Sequence, residues 1–174
     1  MPQTVKTHAF VLRKRSLPNQ DVFISLFTEQ LGKVSTIAKG IKKLTSKRGP
    51  HIQTGNLIEV ILREQRDRQY LQDTRLVSAF SKIKADSIKM KHLYLALFVI
   101  DRLLPEHQQD TQLYSNLQEY LIALSEQNID RNRLFTFLNR LMVHLGYIER
   151  PVDSDVLKTT IENLIHEKLP IDTV

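Results

Sequence analysis

The sequence predicts an α+β chain in two parts, a five-stranded β-barrel over residues 1–80 and an all-α helical bundle over residues 81–174. Three observations carry this reading. Short β-rich runs separated by turn signals fill the first part. The hydrophobic period lengthens near residue 80 to the 3.6 of a helix. Charge divides at the same place: residues 1–80 hold 14 Lys and Arg against 6 Asp and Glu, and residues 81–174 hold 11 against 13.

The first strand is read over His8–Arg13 and the second over Val22–Thr28, which is rich in β-branched and aromatic residues. Glu29-Gln30-Leu31-Gly32 is a tight connection in which Gly32 can take positive φ, so Val34–Ala38 follows as the other arm of a hairpin. A long polar loop, Gly40 to Pro50, precedes the fourth strand, Leu57–Leu62, whose Ile58, Val60 and Leu62 share one face. Arg66-Asp67-Arg68 is a charged turn. The fifth strand, Tyr70–Val77, is expected to put Leu71 and Val77 on one face and Tyr70 and Leu76 on the other. Five short strands without a long helix among them suggest a closed barrel, and five is the strand count of the OB fold.

Helices follow. Asp86 to Leu104 is apolar on all sides in its middle, which marks a central helix, and Pro105 stops it. Leu113, Leu117, Tyr120, Leu121 and Leu124 mark a second, capped by Asp110 or Thr111. Leu134, Phe137, Leu138, Leu141 and Leu145 mark a third, begun by Asp130 and ended by Gly146. Leu157, Ile161, Leu164 and Ile165 mark a fourth, capped by Asp153 and stopped by Pro170.

Composition narrows the function classes. A hydrophobic fraction of 41% supports a real core, and no run approaches the ~20 apolar residues of a membrane span. The N-terminus reads as lacking a secretory leader. Cysteine is absent, which removes disulfides, thiolate catalysis and cysteine-ligated zinc, and is compatible with a reducing cytoplasm. The five glycines stand too far apart for a phosphate loop or a dinucleotide fingerprint. The six histidines are scattered, with no pair four apart on a helix, and His144 reads as structural. Glu59 and Glu64 lack a second feature that would make a catalytic pair. No enzyme activity, metal, cofactor or small-molecule substrate is expected.

The basic half points elsewhere. Arg13, Lys14 and Arg15 close the first strand, and Lys33 and Lys39 flank the third. Lys42, Lys43, Lys47 and Arg48 crowd the loop, and Arg66 and Arg68 sit in the last turn. Around a small barrel these cations can border one groove for a phosphate backbone. Phe10, Phe23, Phe27 and Tyr70 are the candidate stacking rings, with core placement expected for Phe23 or Phe27. The net of +6 for the whole chain, pI about 9.6, is thus concentrated at one end. A protein-interaction adaptor and an RNA-binding module fit the same charges.

The order Phe10-Val11-Leu12, a gap ending in Asp21, Phe27-Thr28-Glu29, Gly32-Lys33 and Ala38-Lys39-Gly40-Ile41-Lys42-Lys43 resembles the N-terminal domain of the RecO family of bacterial recombination mediators. In that family the Thr-Glu, Gly-Lys and Ala-Lys-Gly elements lie on the second and third strands of an OB barrel, followed by a basic loop. Asp101-Arg102-Leu103-Leu104-Pro105 and the stretch Phe137 to Tyr147, ending Leu145-Gly146-Tyr147, are similar to the family's helical part. Two departures are visible: the family's four zinc-binding cysteines after the Leu-Gly-Tyr element are missing, and one helix spans Val152 to Lys168 where the family usually has more. The resemblance implies a non-enzymatic mediator in the cytoplasm, associated with the bacterial nucleoid. It would bind single- and double-stranded DNA, anneal strands and help load RecA. Its partners would be RecR and the C-terminal tail of single-stranded-DNA-binding protein. An acidic tail needs a cationic spot beside an apolar pocket, for which Arg102, Arg131, Arg133 and Arg140 are the available arginines.

Overall fold

The computed structural model describes residues 4–18, 21–39, 48–65, 68–128 and 131–170. Strands β1 (Thr4–Ser16), β2 (Val22–Thr28), β3 (Gly32–Ala38), β4 (Leu57–Gln65) and β5 (Arg68–Ser78) form a closed barrel in the order β1-β2-β3-β5-β4. All pairings are antiparallel except β3 with β5. This is the strand order of an OB fold. Helices α1 (Ser81–Lys84), α2 (Ser87–Leu103), α3 (Thr111–Glu126), α4 (Arg131–His144) and α5 (Ser154–Ile165) follow.

Alternation sorts the strand residues. Val22, Ile24 and Leu26 point inward with Ala9, Val11, Val34, Ile58, Val60, Leu62 and Leu71 and fill the barrel. Phe23, Ser25 and Phe27 point outward. Yet Phe10 and Phe27 are fully buried, because their rings meet Tyr114 of α3 at 5.1 and 5.6 Å between centroids. The helices therefore build one continuous apolar cluster with Phe10, Leu12, Phe27 and Leu57 of the barrel.

Three expectations need correction. β1 runs well beyond His8–Arg13 at both ends, since the polar residues flanking that run still pair with β4 and β2. The alternation expected of β5 fails: Leu71 is buried, whereas Leu76 and Val77 are both exposed. Register shifts against β4 leave Gln72 and Val77 without a partner, and each extra residue reverses the faces beyond it. The last helix ends at Ile165 rather than near Pro170, with His166 in the left-handed region at φ 55°. Leu164 is largely exposed there, and Leu169 is buried instead.

The remaining helix signals match local chemistry. The carboxylates of Asp86, Asp110 and Asp153 accept backbone N–H groups in the first turns of α2, α3 and α5. Asp130 lies outside the described residues. Beyond α4, the Tyr147 N–H donates to the Met142 carbonyl at 3.0 Å and Gly146 adopts φ 77°. His144 Nε2 lies 2.7 Å from Asp110, tying α4 to the cap of α3 as a structural histidine would.

Candidate nucleic-acid interface

Ladder register assembles the candidate site. Arg15 pairs with Phe23, Phe23 with Ile37, Ile37 with Tyr70, and Tyr70 with Arg63. Directly paired residues share a face, so these five side chains form one outward row crossing all five strands. Strands about 4.8 Å apart make such a row roughly 19 Å long. The three apolar members are half-buried and the two arginines at its ends are exposed. Among the described residues, none of Phe23, Ile37 and Tyr70 joins the apolar cluster that the helices build with the barrel. Phe23 and Phe27 point outward from the same strand, and only Phe27 lies under the helices.

Cations flank the rings. The Arg13 and Arg15 guanidiniums lie 5.8 and 5.6 Å from the Phe23 ring centre, and the Lys39 ammonium lies 4.9 Å from that of Tyr70. Arg68 opens β5 two residues before Tyr70 and is exposed. No ion pair to Arg15, Arg63 or Arg68 is found among the described residues. Positive charge beside flat, partly exposed rings suits a polyanion with bases to stack.

Other sequence-named cations hold structure together. The Arg48 guanidinium donates to the carbonyls of Leu71, Gln72 and Lys39 at 3.0–3.2 Å, bonding the end of β3 to the edge of β5. The Lys33 ammonium donates to the Asp101 carbonyl at 2.6 Å. Lys14 turns toward the rim of the barrel and donates to Gln53 at 2.5 Å, and burial lowers its pKa. Lys84 lies near it, bonded to Asn56, and its pKa is lowered by burial and by the Lys14 charge. Lys42, Lys43, Lys47 and Arg66 lie outside the described residues. The ends of the lysine-bearing segment, Lys39 and Arg48, meet at the Tyr70 end of the row.

Sequence reasoning missed Arg63 and Ile37. The alternation of β4 could have found Arg63, because the outward series Glu59, Ile61, Arg63 ends on it. Ile37 carries no chemical signal, and only the register places it between two aromatic rings.

A second feature lies between α3 and α4. A cavity of about 370 Å³ is lined by Leu113, Tyr120, Ala123, Phe137 and Leu141 together with Arg133, Arg140 and one acid, Glu119. Tyr120 and Phe137 stack at 4.4 Å, and the buried Tyr120 hydroxyl has no hydrogen-bond partner among the described residues. Desolvation raises the pKa of that phenol well above its ordinary value. Arg102 lines none of this cavity: it pairs with Asp101 and Glu167 and lies 4.8 Å from the Phe98 ring. The Arg131 side chain lies outside the described set.

The family model "Recombination protein O N terminal" matches residues 1–80, and "Recombination protein O C terminal" matches residues 85–149. The chain belongs to the recombination protein O family. The DNA repair protein RecO of Caldanaerobacter subterraneus subsp. tengcongensis is 28% identical over 148 residues, covering 83% of this chain and 59% of that relative. The DNA repair protein RecO of a Thermoanaerobacter species is 28% identical over 161 residues, covering 92% of this chain and 64% of the relative. The protein of that name from Streptococcus pneumoniae is 32% identical over 131 residues, covering 75% and 50%. The chain thus spans about three fifths of the length of the first two of these RecO relatives. No described helix is long and apolar enough to cross a membrane, and no described group of three His, Cys, Asp or Glu residues could hold a metal ion.

Proposed function

We propose that this chain is a DNA-binding recombination mediator of homologous-recombination repair. It would bind single- and double-stranded DNA on the uncovered face of a barrel formed by residues 1–80, promote annealing, and help load RecA onto strands coated by single-stranded-DNA-binding protein. The row Arg15, Phe23, Ile37, Tyr70, Arg63 is the observation that carries the reading. Guanidinium groups at its ends neutralise phosphates, and the rings between accept bases without reading sequence. Lys39 and Arg68 extend the basic margin, and Lys42, Lys43 and Lys47 would add phosphate contacts. Two strands neutralised at one surface can pair, so annealing requires no bond to be made or broken. The helical part, residues 81–174, would serve protein partners, with RecR among them, in the cytoplasm at the nucleoid.

Fluorescence anisotropy of labelled oligonucleotides at two salt concentrations tests this. Wild type should bind with a steep salt dependence, and the triple variant Arg15→Glu, Lys39→Glu, Arg63→Glu should lose binding. Phe23→Ala and Tyr70→Ala should each weaken single-stranded binding by fivefold or more, since a stacked base contributes about 1–3 kcal/mol. Absence of wild-type binding at low salt would sink the proposal and favour a protein adaptor. Equal competition by RNA of the same sequence would favour the RNA module.

The cavity between α3 and α4 supports a second contact, with an acidic protein tail such as that of single-stranded-DNA-binding protein. Its apolar walls accept a hydrophobic side chain while Arg133 and Arg140 face carboxylates. In the same anisotropy format, a labelled acidic peptide should bind wild type but not Arg133→Glu, Arg140→Glu, whose DNA binding stays intact. A peptide that binds both proteins alike removes the cavity from the proposal.

A further inference from the structure

Asp101 stands near the end of α2 with its carboxylate almost fully buried, at 4% side-chain exposure, against the outer face of the barrel. Three groups converge on it. The Ser25 hydroxyl of β2 donates to Oδ1 at 2.6 Å, the Arg102 Nη1 donates to Oδ2 at 3.2 Å, and Arg13 Nε of β1 lies 3.1 Å from Oδ2. Arg102 has a second acid, Glu167, at 3.2 Å. Arg13 has no other acid among the described residues, and its side chain stays 47% exposed.

The geometry matters because Nε is the Arg13 nitrogen recorded against Asp101, 3.1 Å from Oδ2. An arginine that meets an acid on its Nε edge can still turn terminal amino groups to a phosphate, the fork that makes arginine a better phosphate ligand than lysine. The same guanidinium lies 5.8 Å from the Phe23 ring, at the Arg15 end of the row. Its β1 neighbour Leu12 is the bulged residue of the β1–β2 pair, so the local strand bend and the carboxylate together set where Arg13 points.

We propose that Asp101 is a positioning residue for DNA binding: it acts through Arg13, presenting that guanidinium beside Phe23 as a preformed fork for one phosphate. This rests on the DNA-binding reading above. An acid at a DNA surface ordinarily opposes binding by repelling phosphate. Here an acid from the helices promotes it, by removing the entropy that ordering a long side chain costs at an interface.

The sign of one substitution separates the two effects. Asp101→Asn raises the local charge by one, so charge alone predicts tighter DNA binding. Positioning predicts single-stranded affinity lower by about three- to tenfold, the range expected for leaving one rotamer-rich side chain to be ordered on binding. The salt slope should also become shallower by about 0.7, one phosphate contact on a single strand. Arg13→Ala should shift the slope equally, and Asp101→Asn placed on Arg13→Ala should change nothing further. A purely structural role would not reproduce that non-additivity. Should Asp101→Asn fail to fold, Arg13→Lys keeps the charge without the fork and should show the same loss. Tighter or unchanged binding by folded Asp101→Asn, or wild-type affinity in Arg13→Lys, overturns the proposal. Absence of wild-type binding overturns the DNA reading beneath it instead.

Discussion

Replacing Gly32 with alanine perturbs the junction of barrel and helices through a single added carbon. Gly32 has φ 69°, where an L-residue is strained by about 1–2 kcal/mol. A Cβ there would overlap the carbonyl carbon and oxygen of Gln108 and lie 3.0 Å from its nitrogen. The obstacle is backbone, so the segment between α2 and α3 has to move. That segment is tied to the β2–β3 hairpin by His107 N–H donating to the Lys33 carbonyl at 2.9 Å and by Gln109 Nε2 donating to the Glu29 carbonyl at 3.2 Å. Losing both adds about 1–3 kcal/mol at roughly 0.5–1.5 per bond. The expected cost of Gly32→Ala is therefore about 2–5 kcal/mol. Gly146 supplies the control: its φ is 77°, but a Cβ there meets nothing within 4 Å, so Gly146→Ala should cost only the backbone strain. For a chain of this size each kcal/mol moves Tm by about 2–4 °C. Thermal and urea unfolding of the two variants should put Gly32→Ala about 10 °C below wild type and Gly146→Ala about 4 °C below. Equal losses would refute the seating of residues 105–109 on the hairpin.

Two further perturbations separate structural cations from available ones. Arg48→Ala removes a charged donor from three carbonyls and should lower stability by about 2–3 kcal/mol in urea unfolding, whereas Arg63→Ala should stay within about 0.5 kcal/mol of wild type. Glu59 accepts from Arg75 and pairs with Lys6, both at 3.2 Å, and these donors hold its carboxyl below the ordinary 4.5. A depressed folded pKa stabilises above the unfolded value and loses that contribution as pH falls through the folded one. Wild type should accordingly lose more stability than Glu59→Gln between about pH 5 and pH 3 by thermal melts, and identical acid limbs would remove the carboxylate from the account.

The barrel and its helices were legible because period and caps are local signals. β2 and β3 were found at or near their observed bounds, and the cap aspartates stand where a short polar side chain precedes an apolar run. β5 was misread because a bulge is set by the partner strand: nothing in Leu71 to Val77 announces that Gln72 and Val77 oppose no residue of β4. The site was half legible. Phe23 and Tyr70 were named as rings and Arg13, Arg15 and Lys39 as cations. Which of Phe23 and Phe27 is core depends on how far Tyr114 reaches across the barrel, a contact between residues far apart in sequence. Arg48 was read as a groove cation, and its place against three carbonyls depends on chain closure between β3 and β5.

That partition limits what the charge of the first 80 residues can do. Their 14 basic side chains suggest a strong polyanion site, but a cation that neutralises a neighbour or a carbonyl contributes little when a phosphate arrives. Lys6 and Arg75 face Glu59, Lys33 faces the Asp101 carbonyl, and Arg48 closes the barrel seam. Arg15, Lys39, Arg63 and Arg68 remain at or beside the row, and Arg13, although paired with Asp101, is counted with them on the proposal above that it still takes a phosphate. Five contacts give a single-strand salt slope of about −3.5, and contributions from Lys42, Lys43 and Lys47 would bring it to about −6, against about −10 if every basic residue counted. The measured slope therefore reports how many cations the fold has left available, and a value near −10 would mean that the internal pairs open when DNA binds.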